Sequence, residues 1–236
     1  MKKIRFLILF YVIFISLKSN GQSISDISLK ICDSIQSNKS FVSDTIILQQ
    51  TKIYSKFLDD YLTVKKNDFN FSNWKNEINS INYKLTRELN KTCGKLKIKT
   101  SVILPFTDLI EIDSVFSTEQ SKKITHISNE IKYKNKMEIV ILSIDELYPD
   151  NEIRNFSNNK LMEWQIGGVF EKGGTIIVFS KKLRVVAIST TETAMKYLTN
   201  KDCDKLIADF IIPNFKNNNY YDGIYKSLIE IKNILK

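Results

Sequence analysis

From about residue 104 onward, short β-branched runs alternate with amphipathic stretches that carry helix-start signals. This alternation constrains the fold more than any other feature of the chain. The segments 137–142, 175–179 and 184–188 are compact, apolar and rich in Ile and Val, as buried strands are. Between and after them lie helical patterns. Ser117 with Gln120 forms a capping box that opens a helix through Ile124, Ile127 and Ile131. Asp150 is expected to cap a second helix reaching Phe156 and Trp164. Thr199 with Asp202 is expected to cap a third that stops before Pro213. The last helix runs through Tyr220, Ile224, Leu228, Ile231 and Leu235. Strands alternating with helices predict an α/β layer with a substantially parallel sheet. The final two strands are too close for a crossover helix and are expected to pair as a hairpin.

The preceding stretch, residues 23–100, reads as helical throughout. Ile24, Ile27, Ile31 and Ile35 recur at helical spacing, as do Ile46, Ile53, Phe57 and Tyr61. Trp74, Ile78, Ile81, Leu85 and Leu89 form the cleanest stripe, and Gly94 stands where that helix should stop. Residues 67–73 are polar with interleaved Phe69 and Phe71, the composition of a loop. Residues 1–22 combine Lys2, Lys3 and Arg5, an apolar run from Phe6 to Leu17, and a polar, small-residue exit. That is the pattern of a secretory signal peptide, and the apolar run of 12 residues is too short to span a bilayer. The expectation is export and cleavage near Ser23, leaving a mature chain without a transmembrane helix in the periplasm or outside the cell. In an oxidising compartment Cys32 and Cys93 are candidates for a disulfide, while Cys203 reads as a small core residue.

The formal charge of +9 invites a nucleic-acid reading, but its distribution argues against one. Residues 1–22 carry four basic groups and no acids, and residues 23–104 hold 13 Lys+Arg against 8 Asp+Glu. Residues 105–236 hold 18 of each. The domain region is neutral, so no nucleic-acid partner is expected. One histidine, His126, excludes multi-histidine zinc sites, and its place off the helix stripe makes it a surface residue. No phosphate-binding glycine loop or nucleophile elbow is present. Lys181, Lys182 and Arg184 cluster at the expected hairpin turn, which reads first as a solvated turn and only second as a place to hold an anion. Asp113 stands between a possible edge strand and a helix start, a position open to a cap, a turn or a metal ligand.

Read continuously, residues from about Glu111 to Leu235 resemble the TPM-domain family. Glu111, Asp113, Ser117 and Glu119 stand where the family has an acidic pair before a helix start. Trp164, Gln165, Ile166 and Gly167 match its Trp-Gly-Ile-Gly motif. Gly173, Gly174, Ile176, Ile177, Val178 and Arg184 match its glycine, apolar strand and basic turn. Ile211, Pro213, Phe215, Tyr221, Gly223 and Ile224 match its closing motif. The resemblance implies a TPM-type α/β/α sandwich, Rossmann-like with a mixed sheet, over residues 105–236. Trp164, Gly167, Gly174, Arg184, Pro213, Phe215 and Gly223 are its shape-giving positions.

Some members of that family are described as metal-binding, and a plant member as an acid phosphatase. Such chemistry needs clustered carboxylates. Here several of the family's acidic positions are replaced, by Lys172, Leu183 and Asn200, and its glycine-containing loop by Thr191, Glu192, Thr193, Ala194 and Met195. Asp113 and Glu171 remain as metal-ligand candidates, able at most to hold Ca2+ or Mg2+ weakly. The resemblance with its acids replaced implies a non-catalytic exported protein that binds a protein partner in the cell envelope, in quality control or complex assembly. The alternative is a phosphatase-like hydrolase dependent on a divalent metal.

Overall fold

The computed structural model describes residues 23–37, 56, 59–61, 74–93 and 108–236. The expected signal segment, the stripe residues Ile46, Ile53 and Phe57, the expected loop 67–73 and Gly94 lie outside the described residues. The chain divides into two compact units between Phe69 and Asn70. Within the first, helix α1 (Ile24–Ser37) opens on a reciprocal cap: the Asp26 amide donates to Ser23 Oγ and the Ser23 amide to Asp26 Oδ2. Its Ile27 and Ile31 are buried, as the helical spacing requires.

The second unit begins with α2 (Trp74–Thr92) and continues through β1 (Leu109–Glu111), α3 (Thr118–Glu130), β2 (Glu138–Ser143), α4 (Ile153–Glu163), β3 (Gly174–Ser180) and β4 (Val185–Thr190). It closes with α5 (Glu192–Met195), α6 (Asn200–Leu206), α7 (Ile212–Lys216) and α8 (Tyr220–Ile234). The sheet has the order β1-β2-β3-β4; the first three strands are parallel and β4 is antiparallel to β3. The expected hairpin is present, and the fold is the α/β/α sandwich with a mixed sheet.

Strand periodicity sorts the side chains into two cores. Leu109, Ile141, Ile177 and Ile188 lie in register across one face, where they meet Ile124, Ile127 and Ile131 of the α3 region and Ile224, Leu228 and Ile231 of α8. On the other face Ile110, Leu142 and Val178 meet Phe156 and Leu161 of α4, Trp164, and Tyr83 of α2. Each fully buried Ile, Leu or Phe contributes about 1.5–3 kcal/mol. The crossovers through α3 and α4 step in the same direction across the sheet yet cover opposite faces. They are therefore of opposite hand, and one has the uncommon left-handed sense.

Two helix starts agree with the sequence, and one start and one stop differ. The capping boxes Ser117–Gln120 and Thr199–Asp202 both form. Asp150 does not cap α4: the N-cap is Glu152, and Asp150 Oδ1 instead accepts from Asn159 Nδ2. Pro213 does not end its helix either. A π turn over Ile207–Ile211 links α6 to α7, and Pro213 falls in the first turn of α7, where a missing amide is tolerated. The sequence groups α2 with the residues before it, but in the structure it packs on β1 and clusters with the sheet.

Close backbone contact fixes the entry to β3. Gly167 has φ +80°, and a Cβ there would stand 2.0 Å from the Gly174 nitrogen. A Cβ on Gly174 would stand 2.7 Å from the Gly167 nitrogen. Neither position admits a side chain without separating the loop from the strand. Gly167→Ala and Gly174→Ala should each cost about 3 kcal/mol or more, read as a lower urea midpoint; a wild-type midpoint in either would contradict this contact.

Candidate functional site

The carboxyl ends of parallel strands are where open α/β sheets collect ligands. Here that end gathers Glu111, Asp113, Ser143, Phe179 and Ser180. Glu111, the last residue of β1, is buried, and its oxygens accept from the Phe116 amide and from Ser121 Oγ, both at 2.8 Å. It thereby staples the β1–α3 turn to the body of α3. Asp113 Oδ1 accepts from Ser143 Oγ at 2.7 Å, tying the same turn to the end of β2.

Beside these acids lies an aromatic wall. The Phe179 ring sits 5.9 Å from Phe116, 5.2 Å from Phe215 and 6.3 Å from Tyr220, with Phe215 and Tyr220 4.7 Å apart. Gly223 makes room for it: a Cβ there would come within 2.9 Å of the Phe215 ring. Phe215 and Tyr220 form part of a cleft of about 470 Å³ between the β3–β4 turn and the α7–α8 corner, with Arg184 on one rim and Lys216 on the other. Lys181 Nζ lies 5.6 Å over the Tyr220 ring.

The metal-ligand candidates are not brought together. Asp113 is bound to Ser143 at the carboxyl end of β2. Glu171 is exposed at the opposite end, three residues before Gly174, which pairs with Glu138 at the start of β2. Five residue steps separate Glu138 from Ser143, about 16 Å along the strand, too far for one cation to bind both. Among the described residues there is no group of three or more His, Cys, Asp or Glu able to hold a metal. His126 is 79% exposed, as its position off the helix stripe implies.

Two of the positions that depart from the family pattern, Lys172 and Thr191, have structural employment. Lys172 donates to the Leu235 carbonyl at 2.8 Å, at the end of α8 where a cation is favoured. Thr191 Oγ1 accepts from the Ala194 and Gly174 amides, capping α5 and binding it to the start of β3. Leu183 is exposed in the hairpin turn, and Asn200 is the first residue of α6. Trp164 is buried edge-on to Tyr83 with ring centres 6.4 Å apart. Cys203 is buried, and burial pushes its thiol up to about 11, which leaves it inert near neutrality.

Sequence reasoning passed over three charged residues that organise the unit. Lys132 bridges Asp108 and Glu138 at 2.9 and 2.8 Å, and Glu138 Oε2 accepts from the Gly167 amide. Arg87 of α2 pairs with Asp145 and lies 2.8 Å from Glu146. Lys160 is buried, pairs with Glu163, and lies 5.5 Å over the Phe156 ring and 6.0 Å over Trp164. Its spacing of four from both aromatics was a usable signal in the sequence.

Burial raises the Glu111 carboxyl above its ordinary 4.5, opposed by the Phe116 amide and the Ser121 hydroxyl and reinforced by Asp113. The native state therefore holds this proton to higher pH than the unfolded chain. The contribution is complete below pH 4.5 and is lost as pH rises through the raised native value. Glu111→Gln keeps the acceptor for Phe116 and removes the charge. It should leave stability below pH 4.5 unchanged and raise it at neutral pH, flattening the pH profile of thermal melting. A loss of stability confined to neutral pH would show that the charge itself is needed there.

A TPM domain matches residues 111–234. Among solved structures, the solution NMR structure of the N-terminal domain of a protein from P. gingivalis is similar at 20% identity. Its TM-score is 0.49, and the match covers 54% of this chain and 81% of that one. Comparison with curated proteins finds no match. The TPM-domain match spans more than half of the 236 residues, so the chain belongs to the TPM-domain family.

Proposed function

We propose that this is an exported TPM-domain protein that acts by binding a partner protein in the cell envelope and performs no catalysis. One observation carries the reading. The two carboxylates left for metal chemistry, Asp113 and Glu171, stand at opposite ends of the parallel strands. Phosphoryl transfer on a divalent cation needs its ligands converged on one point. The carboxyl end of the sheet instead offers a buried Glu111 and a half-buried Asp113, both hydrogen-bonded, beside an open aromatic cleft. Export is supported by the charged, apolar and polar succession of residues 1–22. No helix among the described residues is long and apolar enough to cross a membrane.

An oxidising destination is also the condition for a Cys32–Cys93 bridge. Both residues are buried. The bridge would close a loop of 60-odd residues and add about 4 kcal/mol on the chain-entropy account.

Two measurements test these readings. The purified protein should show no turnover of p-nitrophenyl phosphate with Mg2+, Ca2+ or Mn2+, and no metal-induced rise in melting temperature. Turnover that disappears in Asp113→Ala would replace partner binding with hydrolysis. For the bridge, alkylation under denaturing, non-reducing conditions should label Cys203 alone by mass. Label on both Cys32 and Cys93 would refute it.

A further inference from the structure

The cleft at the carboxyl end of the sheet has a charge character the rest of its domain lacks. Residues 105–236 carry equal numbers of basic and acidic groups, 18 each. The residues lining the cleft fall in 180–186 and 212–220, segments that contain Lys181, Lys182, Arg184 and Lys216 and no Asp or Glu; Arg184 and Lys216 line the cleft itself. Elsewhere in the domain six lysines have acidic partners, among them Lys132 with Asp108 and Glu138, Lys160 with Glu163, and Lys232 and Lys134 with Glu130. None of these four cations has an ion pair among the described residues, and Lys181 lies over the Tyr220 ring at the edge of the cleft.

The floor between the cations is apolar and aromatic, with Val186, Phe215 and Tyr220, and Ser180 adds a hydroxyl. Both rims also hold non-glycine residues in the left-handed region, Arg184 at φ +56° and Asn218 at φ +58°. Such conformations cost free energy and are held in place by their surroundings. Alongside runs β4, which pairs with β3 only, so its outer edge carries no strand among the described residues. An open edge offers main-chain N–H and C=O groups to an extended segment.

We infer that this cleft is the docking site for an acidic, extended peptide segment of a partner protein. Its carboxylates lie between Arg184 and Lys216, an apolar side chain rests on Phe215 and Tyr220, and its backbone lies along β4. The inference rests on the partner-binding reading above and names the site and the chemistry of what it takes. A concave cleft of about 470 Å³ next to a strand edge suits a peptide. A lipid surface would need a broad convex face carrying the cations.

The test uses the full chain and four probes. The first is a dye-labelled octapeptide alternating Asp or Glu with Val or Phe, followed in fluorescence anisotropy. The second is its counterpart with Asn and Gln in the acidic places. The others are inorganic phosphate and phosphatidylglycerol vesicles. The acidic peptide should bind about tenfold or more tightly than the amide counterpart. That difference should vanish in the Arg184→Gln, Lys216→Gln double variant, whose melting temperature should match wild type because both side chains are exposed. Equal binding of the two peptides, no binding of either, or binding that survives the double substitution would overturn the inference. So would vesicle or phosphate binding without the acidic peptide, which would assign the cleft to a lipid surface or a free anion. Crosslinking in intact envelopes separates the two levels of the argument. A partner captured equally by wild type and the double variant would discard the cleft and keep partner binding. Loss of capture in the double variant alone would support both.

Discussion

Everything in the larger unit depends on the complete burial of β3. All seven of its residues are buried, and the strand is the seam along which the parallel and antiparallel halves of the sheet join. Its odd-numbered apolar residues, Ile177 and Phe179, feed one core, and Ile176 and Val178 feed the other. A strand buried on both faces cannot alternate polar with apolar residues, which explains its continuous apolar run. Its two ends then have unlike duties. The start is locked by the Gly167–Gly174 contact and by Thr191. The end delivers Ser180 to the cleft and sets Phe179 behind its Phe215 and Tyr220.

The amino end of the sheet is closed by charge that is spent internally. Lys132 holds Asp108 and Glu138, and Glu138 reaches on to the Gly167 amide, so one lysine ties β2 to the loop that enters β3. On the outer face Arg87 and Lys91 join α2 to Asp145 and Glu146, and the Tyr148 hydroxyl donates to the Asn90 carbonyl at 3.3 Å. The acids of these groups are about a third exposed, so each pair contributes modestly, and the value lies in fixing where α2 docks. Tyr83, edge-on to Trp164, supplies the apolar share of that docking.

The strands, the hairpin, two capping boxes and the helix faces were legible in the sequence because each is a local signal. Ile141 and Ile177 belong to one face simply because side chains alternate along strands. What was not legible depended on partners remote in sequence. Arg87 stands between Leu85 and Leu89 on a stripe that reads as helix core, and nothing nearby announces Asp145, 58 residues on. Asp150 looked like a helix cap because of its type, yet the chain turns into α4 two residues later. Pro213 looked like a stop because the preceding π turn, which leaves the proline in the first turn of a new helical segment, has no sequence signature. Asp113 and Glu171 looked like a pair because chain order does not say which end of a strand a loop occupies. That became visible only when the register put Glu138 opposite Gly174 and Ser143 opposite Phe179.

The same register gives the cleft its meaning. In a domain with no net charge the long-range field is weak, and exposed charges are screened within about 8 Å at physiological ionic strength. Four unpaired cations on a neutral body therefore do little to steer a partner from a distance. Their effect is confined to a group already seated between them, where the aromatic floor excludes water and strengthens each contact. Such a site selects by local fit. It rewards a ligand that brings an apolar side chain and a carboxylate together at the spacing of the cleft, and it gives little to a polyanion passing over the surface. This is why the +9 of the whole chain and the cations at the cleft carry different information. The first is an excess confined to residues 1–104, whereas the second is set by the fold, which brings a hairpin turn and a helix corner more than 30 residues apart in the chain onto opposite rims of one cleft.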